Sequence, residues 1–543
     1  MTIGIRSCAA AVSALVLGAA MQTLAQAPAP LVRQTAYLKA SNADAGDHFG
    51  CGGALDGHAG GGVAMSGDGN TIAVGAPHES SSARGVNGNG NNNDLYSSGA
   101  VYVYTRTGGG WTQQAYLKAA TPGQSDHFGY VVSLSRDGNT LAVSAFWEGG
   151  GSRGINGNQA DDSIPQSGAV YIFTRAAGRW SQQAYLKASN AGEAGEGDNF
   201  GDGDQFGFSV TLSDDGNTVA VGATSEDSGA TGINGNQADN MAQSAGAVYV
   251  FARTGASWAQ QAYVKPSNTR NGHQFGYAVS LSADGNALAV GSYDEGGGAR
   301  VVDGPQEQTR NGSGAVYIFA RTGGAWAQRH YLKPSNVEAG DSFGASVSLS
   351  DDGNTLLAGS LDSDCLRPGI IHGVTEECST ERAEDNSSGT AYVFVRSGTT
   401  WSQQAFFKPS VIHRNDWFGA RLALSGDGNT AVIGAALEDS VAQGINGRQD
   451  DTSAIEAGAV YYFTRTGATW AQRAYVKGSN TQAFDEFGSS VAVSRDGQTF
   501  AAGARGEDSA ARPINGNQND NAADEAGAVY VFTAGAGMAT ASF

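Results

Sequence analysis

One stretch that recurs seven times along the chain constrains the fold more than any other feature. In its third copy, residues 206–223 read FGFSVTLSDDGNTVAVGA, in which apolar and polar residues alternate on both sides of Asp215-Gly216. Alternation with a period of two predicts β-strands, and an Asp-Gly dipeptide between two strands predicts a tight type I′ hairpin. The seven copies open at Phe49, Phe128, Phe206, Phe275, Phe343, Phe418 and Phe487.

Two more strand patterns follow each of the first six hairpins and complete a unit of four strands. The first reads GAVYVF at residues 246–251, and the second begins at Trp258 and ends in the string AYVK at residues 262–265. Four antiparallel strands repeated seven times predict an all-β fold, a seven-bladed β-propeller of four-stranded blades. An open β-solenoid is the rival architecture.

The two ends of the chain complement each other. The seventh copy stops after residues 527–533 without a Trp strand, whereas a spare strand at residues 31–41 precedes the first copy. We therefore expect this N-terminal strand to close the last blade, with Val32 in the place of the tryptophan. Residues 26–543 then form one propeller domain, whose blades start near residues 47, 126, 204, 273, 341, 416 and 485.

Residues 1–25 have the pattern of a secretory signal peptide. Arg6 is their one charged residue, an apolar run covers residues 9–20, and small residues follow it. A retained membrane anchor is the alternative, although the run is short for a spanning helix, and no later stretch is apolar enough to cross a membrane. The pattern predicts a secreted, periplasmic or cell-surface protein with no transmembrane segment after signal removal.

Charge and cysteine content narrow the possible partners and chemistry. The formal net charge is −20 and no basic patch stands out, which argues against nucleic acid as a partner. Export to an oxidising compartment favours a disulfide between Cys365 and Cys378, which lie in one loop. Cys51 is then left over, beside a ten-residue insertion at residues 51–60 to which the sequence assigns no role.

The loop between the second and third strands carries a recurring set of acids and amides. Carboxylate and amide oxygens suit Ca²⁺, so these loops are candidate calcium sites. Asx turns that cap the backbone of a long exposed loop are the alternative. The candidate ligands are Glu226, Asn234, Asp239, Glu438, Asn446, Asp451, Glu507, Asn515 and Asp520.

A second acidic set lies two residues before each opening phenylalanine. Because the first strand of a blade lines the channel of a propeller, these side chains either encircle one mouth of the channel or cap the start of that strand. The set consists of Asp47, Asp126, Asp204, His273, Asp341, Asp416 and Asp485.

The repeat resembles the FG-GAP repeats of the integrin α-subunit propeller. Phe-Gly opens strand one and Val74-Gly75-Ala76-Pro77 closes strand two, and over residues 31–533 the pattern is still more similar to bacterial secreted FG-GAP repeat proteins. The resemblance implies a propeller used for extracellular recognition. It does not bring the integrin calcium positions with it, because the hairpin between strands one and two is too short here to hold such a loop.

No catalytic motif accompanies the repeats: the sequence contains no Gly-x-Ser-x-Gly, no His-Glu-x-x-His and no phosphate-binding loop. We therefore expect a monomeric, non-enzymatic protein that binds an extracellular protein or glycan, as adhesion proteins do. A propeller-based polysaccharide lyase or hydrolase and an envelope assembly scaffold are the alternatives. We expect ligand binding on the face that carries the loops between strands two and three and the connections between blades.

Overall fold

The structure is a computed structural model that describes residues 31–51, 61–192, 203–374, 378 and 386–535. The expected signal peptide and residues 52–60 of the insertion lie outside the described residues. The described part contains 29 strands in seven antiparallel sheets, six of four strands and one of five, and each sheet is one blade. The all-β, seven-bladed propeller predicted from the repeats is thereby confirmed.

The strands of each blade run from the channel to the rim in sequence order, with two exceptions: the first strand of the chain completes the last blade, and in blade 5 the short strand β20 lies outside β21 and β22. Blade 1 has β2 (Val63–Met65), β3 (Thr71–Ala76), β4 (Ala100–Thr107) and β5 (Gly110–Leu117); blade 2 has β6 (Val132–Leu134), β7 (Thr140–Ala145), β8 (Ala169–Ala176) and β9 (Arg179–Leu186); blade 3 has β10 (Phe206–Leu212), β11 (Thr218–Ala223), β12 (Ala247–Thr254) and β13 (Ser257–Val264); blade 4 has β14 (Phe275–Leu281), β15 (Ala287–Ser292), β16 (Ala315–Thr322) and β17 (Ala325–Leu332). Blade 5 has β18 (Phe343–Leu349), β19 (Thr355–Ser360), β21 (Thr390–Ser397), β22 (Thr400–Phe407) and the outermost strand β20 (Ile370–His372); blade 6 has β23 (Arg421–Leu424), β24 (Thr430–Ala435), β25 (Ala459–Thr466) and β26 (Thr469–Val476); blade 7 has β27 (Phe487–Val493), β28 (Thr499–Ala504), β29 (Ala528–Gly535) and β1 (Leu31–Leu38).

The core lies between consecutive blades. Every residue of β11 is buried because both faces of its sheet pack against a neighbouring blade, which explains why TVAVGA is almost continuously apolar or small. Within blade 3, Phe206 meets Tyr249 edge-on with ring centroids 5.4 Å apart. The inner strands line the central channel, where a cavity of about 160 Å³ is bordered by residues such as Val131, Ser209 and Val347.

The N-terminal strand closes the ring. Strand β1 pairs antiparallel with β29, with Leu31 opposite Gly535 and Leu38 opposite Val529. Val32, in the tryptophan position, is buried. This agrees with the closure expected from the complementary ends of the chain.

The hairpins between strands one and two differ from the predicted type I′ turn. In blade 1 only Gly69 has a positive φ, at 66°, and its N–H donates to the carbonyl of Ser66 at 2.9 Å. The Asp68 carboxylate builds the rest of the turn, because it accepts hydrogen bonds from the Ser66 hydroxyl at 2.6 Å and the Asn70 N–H at 2.9 Å. A turn held by an Asp side chain needs a left-handed conformation only at the glycine, so the type I′ prediction was wrong.

The residue after each hairpin serine joins an amide ring around the channel. The N–H of each such residue donates to the carbonyl oxygen of its counterpart in the next blade at 2.9–3.0 Å, and the last residue donates to the first. The ring runs through Gly67, Arg136, Asp214, Ala283, Asp351, Gly426 and Arg495. The face of the propeller that carries it is called the hairpin face below.

An Arg–Trp–Gln clamp joins several pairs of neighbouring blades. In blade 3 the Arg253 guanidinium lies over Trp258, 5.3 Å from the ring centroid. Both side chains donate to the same amide oxygen of Gln183 in blade 2, at 3.0 Å each. The recurrent tryptophans of these blades therefore pack between blades.

Candidate ligand-binding face

The loops between strands two and three and the connections between blades share one face, opposite the amide ring, which we call the loop face. In the connection from blade 1 to blade 2, the Ser125 N–H donates to the carbonyl of Tyr96 in the strand two-to-three loop at 2.9 Å. In the connection from blade 6 to blade 7, the Phe484 N–H donates to the carbonyl of Ile455 at 2.8 Å. The backbone thus ties the two kinds of loop together.

Among the described residues, a buried Lys–Glu ion pair anchors the strand two-to-three loop in six blades. In blade 3 the Glu226 carboxylate accepts hydrogen bonds from Lys265 Nζ at 2.8 Å and from the Tyr263 hydroxyl at 2.6 Å. Both charged side chains are about 1% exposed or less. Burial lowers the pKa of Lys265, and the nearby carboxylate opposes that shift. The pairs are Lys118–Glu79, Lys187–Glu148, Lys265–Glu226, Lys333–Glu295, Lys477–Glu438 and Lys39–Glu507, with N–O distances of 2.7–3.2 Å.

Sequence reasoning missed these pairs, although both partners recur at fixed repeat positions. The lysine ends the apolar string AYLK, where an unpaired charge would be costly to bury. That cost was a usable signal, because it implies that a carboxylate recurring once in each repeat lies next to the lysine.

The nine candidate calcium ligands have separate roles in the structure. Glu226, Glu438 and Glu507 are the carboxylates of the ion pairs. The Asn234, Asn446 and Asn515 side-chain oxygens accept the backbone N–H of Tyr263, Tyr475 and Tyr37, respectively, at 2.9–3.0 Å. The Asp239, Asp451 and Asp520 carboxylates each accept a backbone N–H two residues later in the chain, as in an Asx turn.

These roles bear on the calcium hypothesis. A cation at Glu226 would have to displace the ammonium group of Lys265, which already neutralises the carboxylate. In the part of the chain that the structure describes, no group of three or more His, Cys, Asp or Glu is placed to hold a metal ion. Calcium binding by these loops stays a prediction.

The six aspartates that precede the opening phenylalanines are buried, and each carboxylate accepts a backbone N–H; His273, in the fourth copy, is buried as well. Asp204 accepts the N–H of Gly192 at 3.1 Å, and burial raises the pKa of Asp204 to about 8. This hydrogen bond agrees with the capping alternative. The same bond forms at Asp47, Asp126, Asp341, Asp416 and Asp485.

The cysteines of the described part occupy two regions of the loop face. Cys365 and Cys378 form a disulfide with Cα atoms 5.3 Å apart in the strand two-to-three loop of blade 5. Cys51 is buried and takes part in no disulfide. The Cys51 N–H donates to the carbonyl of His48 at 3.0 Å. The Nε2 atom of His48 lies 2.9 Å from a carboxylate oxygen of Glu525 in blade 7.

A row of rings crosses the inner edge of the loop face. His48 stacks on His78 with ring centroids 4.4 Å apart, His78 stacks on His127 at 5.0 Å, and His127 lies 4.5 Å from Trp147. Burial lowers the pKa of His78 to about 3 and that of His127 to about 4. These two imidazoles are therefore neutral at pH 7, and the row ends at the partly exposed indole of Trp147.

The exposed large apolar side chains of the described residues all lie on the loop face. Eight are in strand two-to-three loops, and the ninth, Phe484, is in the connection between blades 6 and 7 and is 56% exposed. Its neighbour Ile455 is 53% exposed. The nine are Tyr96, Trp147, Met241, Val301, Leu366, Val374, Val441, Ile455 and Phe484. The sequence signal for them is weak, since they are single apolar residues in variable Gly- and Asn-rich loops.

The family model of the FG-GAP repeat matches residues 111–173, 258–319 and 401–463. No curated protein matches the chain. Among solved structures, the crystal structure of RRP9 WD40 repeats is similar over 94% of this chain and 100% of that chain, with a TM-score of 0.43 and 10% identity.

The described residues contain no helix long and apolar enough to cross a membrane.

Proposed function

Because the chain is an FG-GAP repeat β-propeller protein, we propose that it is a non-enzymatic recognition protein that binds an extracellular protein or glycan through its loop face. The confinement of the nine exposed large apolar side chains to that face carries the proposal. Exposed apolar side chains on variable loops of a rigid scaffold are typical of binding surfaces.

The two faces differ in the chemistry they offer a partner. The loop face presents exposed rings at Tyr96, Trp147 and Phe484, and aromatic side chains supply much of the contact energy in protein and ligand recognition. The hairpin face presents short turns whose Asp68-type carboxylates are already used by the hydrogen bonds of their own turns. A partner therefore gains more buried apolar area on the loop face.

We also propose that the protein is exported and acts outside the cytoplasm as a monomer. The disulfide between Cys365 and Cys378 supports export, because such bonds persist in oxidising compartments. The signal-peptide pattern of residues 1–25 supports it independently.

Paired variants on the two faces test the proposed binding surface. Purified protein is screened on a glycan array and against a panel of immobilised extracellular proteins, and each hit is measured again with Trp147→Ala, Phe484→Ser and Met241→Ser. Arg136→Ala on the hairpin face is the control. We expect at least one loop-face change to weaken binding tenfold or more and the control to leave it unchanged. The reverse result would place the surface on the hairpin face.

The enzymatic alternative calls for a separate measurement. The same preparation is incubated with a panel of polysaccharides, and reducing ends and unsaturated products are followed. We expect no depolymerisation above that of heat-unfolded protein. Turnover that disappears in a single-residue variant would make the protein a lyase or hydrolase.

A further inference from the structure

One position in the connections between blades has a left-handed backbone. In six copies, the residue three positions before the opening phenylalanine has a φ of 61–79°. Its N–H donates to a carbonyl in the strand two-to-three loop of the preceding blade at 2.7–2.9 Å, and we call each such meeting of connection and loop a junction. The six residues are Gly46, Ser125, Gly272, Gly340, Asn415 and Phe484.

Of these six residues, only Phe484 has a large side chain. Glycine adopts a positive φ without strain and asparagine does so more readily than most residues, whereas a bulky side chain is an outlier there. The ring of Phe484 is nevertheless 56% exposed. The phenylalanine thus costs backbone strain and gains little burial. Such strain is characteristic of functional sites, so it points to a role outside the packing of the fold.

The loop residue that accepts the Phe484 N–H is also apolar. The acceptor is the carbonyl of Ile455, at 2.8 Å, and the side chain of Ile455 is 53% exposed. The junction between blades 6 and 7 therefore presents two exposed apolar side chains at these positions, where the other five junctions present at most one. The acceptors at those five are Asp524, Tyr96, Gln243, Asn311 and Asn386.

Carboxylates lie beside this apolar pair. Glu456 follows Ile455 in the loop, and its carbonyl accepts the N–H of Glu486 at 2.9 Å. Arg505 of blade 7 pairs with Glu486. Burial and the charges of neighbouring carboxylates raise the pKa of Glu456, because both favour its neutral form. A cation brought to Glu456 by a partner would oppose that repulsion.

The loop face as a whole is acidic, whereas the hairpin face is nearly balanced. The described strand two-to-three loops hold 24 Asp and Glu residues and eight arginines. The strand one-to-two hairpins hold nine aspartates and two arginines, and six arginines of the third strands donate to hairpin asparagines. Charge complementarity therefore favours a basic partner for the loop face.

We propose that the junction between blades 6 and 7 anchors a basic protein partner, through a segment that carries an apolar side chain next to a lysine or arginine. The apolar side chain packs against Phe484 and Ile455, and the cation pairs with Glu456. This inference rests on the proposed function and deepens it, because it assigns the partner of the loop face to basic proteins and not to glycans. An uncharged glycan would gain no charge complementarity from the acidic loops.

Melting temperatures test whether Phe484 serves the fold or a partner. Phe484→Gly introduces the residue type found at positions 46, 272 and 340, so we expect a melting temperature equal to or above that of the parent. Ile455→Asn introduces the residue type found at positions 311 and 386, and it should leave the melting temperature unchanged. A lower melting temperature in Phe484→Gly would show that the ring stabilises the fold and would overturn the proposal.

A peptide library tests the chemistry of the partner. Random heptapeptides displayed on phage are panned on the immobilised parent protein and, in parallel, on Phe484→Gly. We expect the sequences enriched on the parent alone to share an apolar residue next to a lysine or arginine. Enrichment of acidic or uncharged sequences on the parent alone, or no difference between the two proteins, would overturn the proposal.

Synthetic copies of the enriched peptides locate the site. We expect Phe484→Gly and Ile455→Asn to weaken binding at least about tenfold, as the loss of a hot spot does. Glu456→Gln should weaken it about two- to fivefold, the contribution of an exposed ion pair. Asn311→Ala, at the equivalent position of the junction between blades 4 and 5, is the matched control and should bind like the parent.

Two further variants separate this inference from the proposed function. Peptides that bind Phe484→Gly as well as the parent but lose binding in Trp147→Ala would overturn the inference and leave recognition by the loop face standing. Peptides that lose binding only in Arg136→Ala, on the hairpin face, would overturn both.

Discussion

The indole N–H of Trp470 donates to the side-chain oxygen of Gln404 in the preceding blade at 2.9 Å, whereas Trp401, one blade earlier, is buried and its indole nitrogen has no partner. The difference follows from one position on the outer strand of the preceding blade, three residues after the tryptophan of that strand. Blades 1, 2, 3 and 5 have a glutamine there, which receives the Trp and Arg of the next blade. Blade 4 has Arg329, blade 6 has Arg473 and blade 7 has Thr35.

The clamp predicts that a glutamine at position 329 would stabilise the contact between blades 4 and 5. Arg329→Gln should provide an acceptor for Trp401 and for Arg396 and raise the free energy of unfolding by about 1 kcal/mol, the net value of a buried hydrogen bond. Gln404→Ala should lower it by about 1–3 kcal/mol, because it leaves the indole of Trp470 unpaired. Urea unfolding of both variants measures the changes. A loss of stability in Arg329→Gln would contradict the clamp.

The buried ion pairs should tolerate joint replacement better than the loss of one partner. Glu226→Leu leaves the Lys265 ammonium buried without its counter-charge, and we expect a loss of about 3–5 kcal/mol. Glu226→Leu combined with Lys265→Met should recover most of it. Asp450→Ala, which breaks an exposed pair with Arg448, is the control and should leave the unfolding midpoint unchanged. A double variant as unstable as the single would mean that the carboxylate matters mainly for the Tyr263 and Asn190 hydrogen bonds.

The buried aspartates predict that stability falls as the pH rises from 6.5 to 8. The pKa of Asp204 is raised to about 8 and that of Asp126 to about 7, so their contribution is full below the unfolded pKa near 4 and is lost as the pH rises through the folded values. His78 and His127 act in the opposite direction only below pH 6.5, because their pKa values are lowered.

Melting temperatures at pH 6.5, 7, 7.5 and 8 measure this dependence. Asp204→Asn keeps an acceptor for the Gly192 N–H and removes one titrating group, so the slope with pH should become shallower. An unchanged slope would assign the pH dependence to other groups.

The closing strand should be required for a monomeric fold. Deleting residues 26–41 exposes the edge of β29 and removes Lys39 from Glu507, so we expect aggregation or oligomers in size-exclusion chromatography with light scattering. Deleting residues 26–30 alone is the control and should leave a monomer. The closure argument would fail if the longer deletion were equally stable and monomeric.

Calcium binding by the strand two-to-three loops has a direct test. If the loops bind Ca²⁺ only when folded, millimolar Ca²⁺ should raise the melting temperature and chelator should reverse the rise. Asp451→Asn and Asn446→Ala should then reduce the shift. An identical melting temperature in Ca²⁺ and chelator would leave the ion pairs and Asx turns as the whole role of these residues.

Most of the fold could be predicted from the sequence, because repetition supplies seven independent readings of one pattern. The strands, their order and the closure by residues 31–41 all follow from hydrophobic alternation and from the unmatched ends of the chain. The turn type could not, since Asp-Gly favours type I′ in isolation, while the Asp68 carboxylate stabilises a different turn through Ser66 and Asn70.

The site was harder to predict, because the repeat shows which residue type recurs at a position but does not show which side chains lie next to it in space. Glu226 and Lys265 are 39 positions apart in the sequence, and only the pairing of strands brings them to 2.8 Å. A clustered set of Glu, Asn and Asp therefore resembled a metal site, although the glutamate points inward to a lysine and the aspartate outward to its own loop. Exposure at Trp147 or Phe484 likewise depends on the tertiary packing of the loops.

The amide ring continues without interruption from blade 7, which contains the break in the polypeptide, to blade 1. Arg495 donates to Gly67 at 3.0 Å, a length shared by bonds between blades that are continuous in sequence. On the hairpin face, all seven hydrogen bonds of the ring have nearly the same length, so the bond between blades 7 and 1 cannot be told apart from the others. Because Leu31 also lies opposite Gly535, strand pairing in blade 7 continues across the break as it does in the other blades. The same seven-bladed body is compatible with a polypeptide whose break lies between the third and fourth strands of any other blade.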